Sequence, residues 1–325
     1  MRLNIAYSTD ENYVRHLGVS MISLFENNVE FSEIFVYIIE NDISNKSKRT
    51  LEEISERYNR NLKFISFKGL AQNLTVDDSF SKMSYGRLFL GQINDIDKII
   101  YLDCDSIVAG SFYDLWMKDI SDYYIAAVQD TVNSFYIKSI GLSNSNRYIN
   151  AGFLLVNLKR WRMDNLEDSF INFINEYNGS VPHHDQGTLN AICKDRVLIL
   201  EPKYNLQCPM FHFSAKQIKK LDNLRFYYTQ EQLNDAISEP VFIHFTNGYF
   251  NRPWNRGCTH PMAHIYLGYL DKSPWKNSLL EGKLNRNAKI MKFIYENSPF
   301  SIYRMASKLI TYRKARKLQK QFQTN

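Results

Sequence analysis

Two aspartates, Asp103 and Asp105, stand on either side of Cys104 directly after the apolar run Lys98-Ile-Ile-Tyr-Leu102. Carboxylates at i and i+2 leaving a strand project the same way, about 7 Å apart along the backbone. Both can therefore close on one cation at the ~2.1 Å that magnesium or manganese requires. An apolar approach favours such a cation, because unpaired carboxylates beside buried hydrophobic residues carry a desolvation cost. Two solvated loop aspartates are the competing reading. Cys104 lies between carboxylates, which raise a thiol's pKa, so it is not read as a nucleophile. Cys193, Cys208 and Cys258 are far apart and form no C-x-x-C. Reduced thiols in a cytoplasm are expected, with neither a disulfide framework nor a zinc cluster.

A carboxylate pair at a strand end needs a sheet to hold it. The first hundred residues alternate accordingly: strands at 2–7, 34–39, 62–67 and 98–102, separated by helices that begin near Asp10-Glu-Asn12 and over 46–58 and 84–93. Val14, Leu17, Met21, Leu24 and Phe25 recur at helical spacing. Further strands are expected at 125–128, 153–158, 197–201 and 241–245, and helices at 165–177 and 185–193. Alternation of this kind predicts an α/β chain with a mostly parallel sheet covered on both faces. Ligands in such sheets sit beyond the carboxyl ends of the strands. Yet none of the thirteen glycines forms G-x-G, and neither G-x-x-x-x-G-K-[ST] nor G-x-S-x-G occurs. A phosphorylated ligand would need something other than a glycine cradle to neutralise it.

With 325 residues, 44% of them hydrophobic, the chain can bury a large core, and its 23% charged residues argue against general disorder. Apolar stretches such as Ala151-Gly-Phe-Leu-Leu-Val156 fall short of the ~18 residues that cross a bilayer. The amino terminus turns polar at Ser8 too early for a signal peptide. Charge divides the chain unevenly. From residue 283 onward there are eleven Lys or Arg and one acid, Glu296, whereas residues 1–282 are slightly acidic. Ile290, Phe293, Ile302, Leu309 and Tyr312 interleave with that basicity. The composition predicts a slightly acidic body over 1–282 and a basic amphipathic tail over 283–325, suited to an anionic membrane surface. A solvated or docked tail is the alternative. No nucleic-acid module is present, so a nucleic-acid partner is not expected.

Five segments follow one another in a recognisable order: Tyr85-Gly-Arg-Leu88, Ile100-Tyr-Leu-Asp-Cys-Asp-Ser-Ile-Val108, Asn150-Ala-Gly-Phe-Leu-Leu-Val-Asn-Leu-Lys-Arg-Trp161, His184-Asp-Gln-Gly-Thr-Leu-Asn190, and His244-Phe-Thr-Asn-Gly248 with Arg252-Pro-Trp254. Together they resemble glycosyltransferase family 8, especially its bacterial lipooligosaccharide galactosyl- and glucosyltransferases, over about residues 2–270. The resemblance implies a GT-A fold and a UDP-hexose donor. It also implies manganese, with magnesium as the alternative, and transfer with retention to a surface glycan at the inner face of a bacterial membrane. A protein acceptor such as an adhesin, or another envelope polymer, is the nearest rival. A catalytically silent sugar-binding or membrane-adaptor protein is the rival from a different class.

By the same resemblance, Asp103, Asp105 and His244 are the metal ligands, a mixed oxygen and nitrogen set that suits manganese. A core histidine is the plainer reading of His244. Ser8, Thr9, Asp10 and Asn12 match the uracil and ribose segment, where a helix cap is the alternative. Arg87 and Cys104 fall beside the donor, while Asn150, Ala151, Asp185 and Gln186 match the lining of the hexose. Asp130 matches a position near sugar and acceptor. Gln186 occupies the place a covalent mechanism would give to a nucleophile. Its amide is a poor one, so departure of UDP and attack on the same face are expected, with Asp130 and Asp185 as reserve nucleophiles. The family's H-x-x-G-x-x-K-P-W is lengthened here by two residues between His244, Gly248 and Arg252, and arginine replaces lysine. A guanidinium meets phosphate as a planar fork rather than as a point charge.

Overall fold

The computed structural model describes residues 1–72, 74, 76, 82–143, 145–246, 250–278, 282 and 284–323, with side chains to residue 313. Seven strands make the main sheet: β1 (Arg2–Asp10), β2 (Glu33–Asn41), β3 (Asn61–Ser66), β4 (Lys98–Leu102), β6 (Ile125–Gln129), β7 (Ile149–Asn157) and β8 (Val197–Ile199). A three-stranded sheet is built from β5 (Ser106–Val108), β9 (Leu206–Gln207) and β10 (Phe242–His244). The main sheet runs β3-β2-β1-β4-β7-β6-β8, and only β7 is reversed against its neighbours. This is the mixed, mostly parallel sheet that the alternation predicts. Its inner strands read as continuous apolar runs because both faces are covered, as Ile99, Ile100, Tyr101 and Leu102 illustrate at no more than 1% exposure.

The reversed strand creates the site. Tyr7 of β1 pairs with Leu102 of β4, and Leu102 pairs in turn with Phe153 of β7. The carboxyl ends of β1 and β4 therefore meet the start of β7 at one edge. Asp130 follows β6 and joins them by donating its backbone N–H to the Tyr148 carbonyl, 2.9 Å. The small sheet brings in a distant segment, since His244 of β10 stands opposite Ser106 of β5, just past the aspartate pair. The helix Val14–Glu26 is buried along nearly its whole length, packed against β5 and the helix Ala263–Lys272.

Two expectations change. The helix expected over 84–93 is an extended 3-10 helix, Lys82–Gln92. Its Gly86 lies so close to β1 that an added Cβ would stand 2.5 Å from Ser8 Oγ. The narrower thread suits that approach, although such runs are ordinarily short. The strand expected over 241–245 exists as β10 but leaves the main sheet for the small one. The tail forms two helices, Arg286–Asn297 and Phe300–Gln323. Tyr295 and Tyr303 are buried against the body, while Ile302, Met305, Leu309 and Tyr312 are exposed. No helix among the described residues is long and apolar enough to cross a membrane.

Candidate active site

A cavity of about 430 Å³ opens at the edge where β1, β4 and β7 meet. Ser8, Thr9, Asp10 and Tyr13 line one side, Arg87 and Tyr101 another, and Asp103, Cys104, Asp105 and Arg252 its head. Asn12 is exposed and does not line it; its backbone N–H donates to Asp10 Oδ1 at 3.0 Å, so Asp10 does cap the first turn. A larger cleft of about 580 Å³ lies at the opposite end of β4. Its Lys98 ammonium is already taken by the Trp116 and Lys118 carbonyls, and Arg160 pairs with Asp164.

Asp103, Asp105 and His244 converge, with one donor atom from each lying within 4.8 Å of the others. His244 Nε2 stands 3.2 Å from Asp105 Oδ1 and 3.8 Å from Asp103 Oδ2. Its Nδ1 faces Asn205 Oδ1 at 3.2 Å. A proton on Nδ1 would leave the Nε2 lone pair directed at the carboxylates, the arrangement typical of a metal-binding imidazole. Gly152 makes room, since a Cβ there would fall 2.2 Å from His244 Cε1 and 2.7 Å from Asp103 Oδ2. Two carboxylate oxygens and an imidazole nitrogen this close together are a donor set that fits a divalent cation.

Two arginines hold the aspartates. Arg252 donates from Nη2 to Asp105 Oδ2 at 2.7 Å and from Nη1 to Tyr13 OH at 2.6 Å. Arg87, buried, donates to Asp103 Oδ1 at 2.8 Å and to the Ala151 carbonyl, and its Nε pairs with Asp185 at 3.0 Å. Burial opposes ionisation of Asp105, but Arg252 and His244 outweigh it and hold the carboxyl well below its usual range. Asp185 is different: burial pushes its pKa up despite Arg87. Burial, seconded by Asp103, also raises the Cys104 thiol far above its ordinary value. That keeps it protonated and inert.

Asp130, Asn150, Ala151 and Gln186 form one network. Gln186 accepts from the Ala151 N–H at 3.0 Å and donates to Asp130 Oδ2 at 2.8 Å. Asp130 Oδ2 also accepts from Asn150 Nδ2 at 3.1 Å, and its Oδ1 accepts from the Thr131 N–H. Asn150 in turn accepts from Asn205 Nδ2 at 2.9 Å, which links this network to His244. Gly248 lies outside the described residues. Tyr13, Tyr101, Gly152 and Asn205 were not read from the sequence; Tyr101 donates to Asp103 Oδ1 at 3.0 Å. Gly152 sits inside a quoted segment and could have been flagged, whereas Asn205 carries no motif at all.

The family model described as Glycosyl transferase family 8 matches residues 4–258. General stress protein A of Bacillus subtilis (strain 168) is 29% identical over 279 residues, 84% of this chain and 94% of that protein. The lipopolysaccharide glucosyltransferase WaaO of Escherichia coli (strain K12) is 25% identical over 296 residues, 88% of this chain and 82% of that one. Among solved structures, galactosyltransferase LgtC in complex with donor and acceptor sugar analogs superposes with a TM-score of 0.70 at 23% identity, covering 88% of this chain and 99% of that one. The fold is thus the GT-A fold.

Proposed function

The chain belongs to glycosyltransferase family 8 and is a hexosyltransferase, and on that premise we propose that it moves galactose or glucose from a UDP-sugar to a glycan acceptor such as lipooligosaccharide, with retention and with manganese. The convergence of Asp103, Asp105 and His244 at the head of the cavity carries this reading. These three residues would hold a divalent cation, which when bound would supply Lewis-acid stabilisation of the departing diphosphate without proton transfer. Arg252, beside Asp105, adds a fixed positive charge for binding the donor's diphosphate. Ser8, Thr9 and Asp10 hold the nucleoside along β1, and Arg87 fixes the orientation of Asp103 and Asp185.

Given retention, the bonds the carboxylates already make favour departure and attack on one face over a covalent intermediate. Asp130 accepts hydrogen bonds from Gln186, Asn150 and Thr131, which weakens it as a nucleophile. Asp185 is buried on Arg87. Gln186 spends one lone pair of its carbonyl on Ala151 and keeps a second for positive charge developing at the anomeric carbon. The bond from the anomeric carbon to the phosphate oxygen breaks, and its electron pair leaves with UDP. The acceptor hydroxyl attacks from the same face and gives its proton to the leaving phosphate. On this reading the body spans 1–282 and the tail 283–325 lies on the cytoplasmic face of an anionic membrane; the exposed Ile302, Met305, Leu309 and Tyr312 among basic residues support the membrane contact.

The test is a screen of UDP-galactose, UDP-glucose and their N-acetyl counterparts with and without manganese, with product anomers assigned by NMR. Transfer of a hexose with the α configuration kept is expected. An inverted product, or a glycosylated Asp130 or Asp185 trapped in the unmodified enzyme, would overturn the mechanism.

A further inference from the structure

Arg252 sits on a loop longer than the family pattern, and something must restrict where its guanidinium goes. Residues 250–259 close on themselves: the Thr259 N–H donates to the Phe250 carbonyl at 2.9 Å and Cys258 Sγ to the Asn251 carbonyl at 3.3 Å. Asn251, in the left-handed region at φ 66°, accepts on Oδ1 from the Arg252 N–H and from Asn255, and donates to the Arg256 carbonyl. The loop is thus a tight knot with Phe250 and Thr259 at its base and Arg252 on top.

The helix Arg286–Asn297 grips that base. Lys292 Nζ reaches the Phe250 carbonyl at 3.5 Å and Thr259 Oγ1, and pairs with Glu296. Tyr295, 4% exposed, meets the Phe250 ring edge-on at 5.3 Å and stacks on His212 at 3.9 Å. A segment serving only to attach the chain to a surface would have no reason to commit a partly buried lysine to this loop.

We propose that this helix is a positioning element for donor binding: Lys292 and Tyr295 hold the base of the 250–259 loop so that Arg252 is delivered to the diphosphate side of the cavity. The inference rests on the donor-site reading above and goes beyond it, because it makes the proximal half of the tail part of the transferase machinery. Lys292 and Tyr295 are positioning residues; neither lines the cavity.

The test uses the full chain with a soluble acceptor, and with UDP and manganese as binding probes. Lys292→Met should raise the KM for UDP-hexose and weaken UDP binding by about tenfold, the scale of one charge-assisted hydrogen bond, while kcat changes little. Tyr295→Ala should behave alike and Tyr295→Phe should restore the wild-type KM. Because Lys292 acts through Arg252, the Lys292→Met effect should disappear in an Arg252→Ala background. A wild-type donor KM in folded Lys292→Met, or an undiminished effect in the double variant, overturns the proposal and leaves the donor site standing, provided Arg252→Ala alone raises that KM. If Arg252→Ala leaves the donor KM unchanged, the role given to Arg252 falls and this proposal falls with it.

Discussion

Gly152 lies so close to His244 that a methyl group on its α-carbon would stand 2.2 Å from Cε1. The same methyl would press on Asp103 Oδ2 at 2.7 Å. Neither neighbour can yield easily, since His244 is fixed by Asn205 and Asp103 by Arg87 and Tyr101. Gly152→Ala should therefore push Asp103 and His244 apart. We expect turnover to fall by about a hundredfold or more and the fold to survive with the ~1–3 kcal/mol loss typical of overpacking. Activity and thermal melting measured together check this; wild-type turnover in a folded variant would mean that the two ligands need not stand so close.

Gln186 donates its amide to Asp130 at 2.8 Å. Gln186→Glu would set two carboxylates at that distance, and like charges so close cannot both ionise, so one pKa rises. The protonated acid can again donate to Asp130. The variant should be slow near neutral pH and should gain activity, relative to wild type, as pH falls through the raised pKa. A pH–rate profile parallel to that of the wild type would rule out this role.

Asp222 retains some surface, but its carboxyl is enclosed; burial, with the charge of Asp130 second, pushes it up to about 8 from an ordinary 3.8. Because the folded chain holds this proton more tightly than the unfolded one, the contribution is full below the unfolded pKa. It is lost progressively as pH rises from about 4 to about 8. Asp222→Asn should flatten the decline in melting temperature across that window. An unchanged slope would place the pH dependence elsewhere.

Ile302, Met305, Leu309 and Tyr312 repeat at helical spacing on the second tail helix and are all roughly half exposed or more. Arg304, Lys308 and Arg313 interleave with them. Met305→Glu with Leu309→Glu should weaken binding to vesicles containing phosphatidylglycerol by at least about tenfold, from lost burial and added repulsion. Turnover on a soluble acceptor should be unaffected. Vesicle sedimentation at low and high salt checks both parts.

The sheet was legible in the sequence because buried parallel strands write themselves as apolar runs, and Lys98–Leu102 points straight at Asp103. β5 and β9, of three and two residues, are too short to show any period, so the small sheet that carries His244 could not be seen. His244 itself was found through the ordered motifs. Asn205, which completes the link between His244 and Asn150, lies just before β9 and has no local signal. Ser214 with Gln217 and Thr229 with Gln232 are capping boxes that mark the helices Ala215–Leu221 and Gln230–Ser238 in the sequence. The 3-10 geometry around Arg87 depends on Gly86 meeting Ser8, a contact between segments that no local pattern encodes.

Calorimetric titration of UDP, with manganese and after its removal by a chelator, most directly probes the cation site proposed at Asp103, Asp105 and His244. In the wild-type chain, chelation should weaken UDP binding by at least about tenfold. In Asp105→Asn the metal should make little difference. Equal UDP affinity with and without metal in the wild type, or an intact metal effect in Asp105→Asn, would contradict the account.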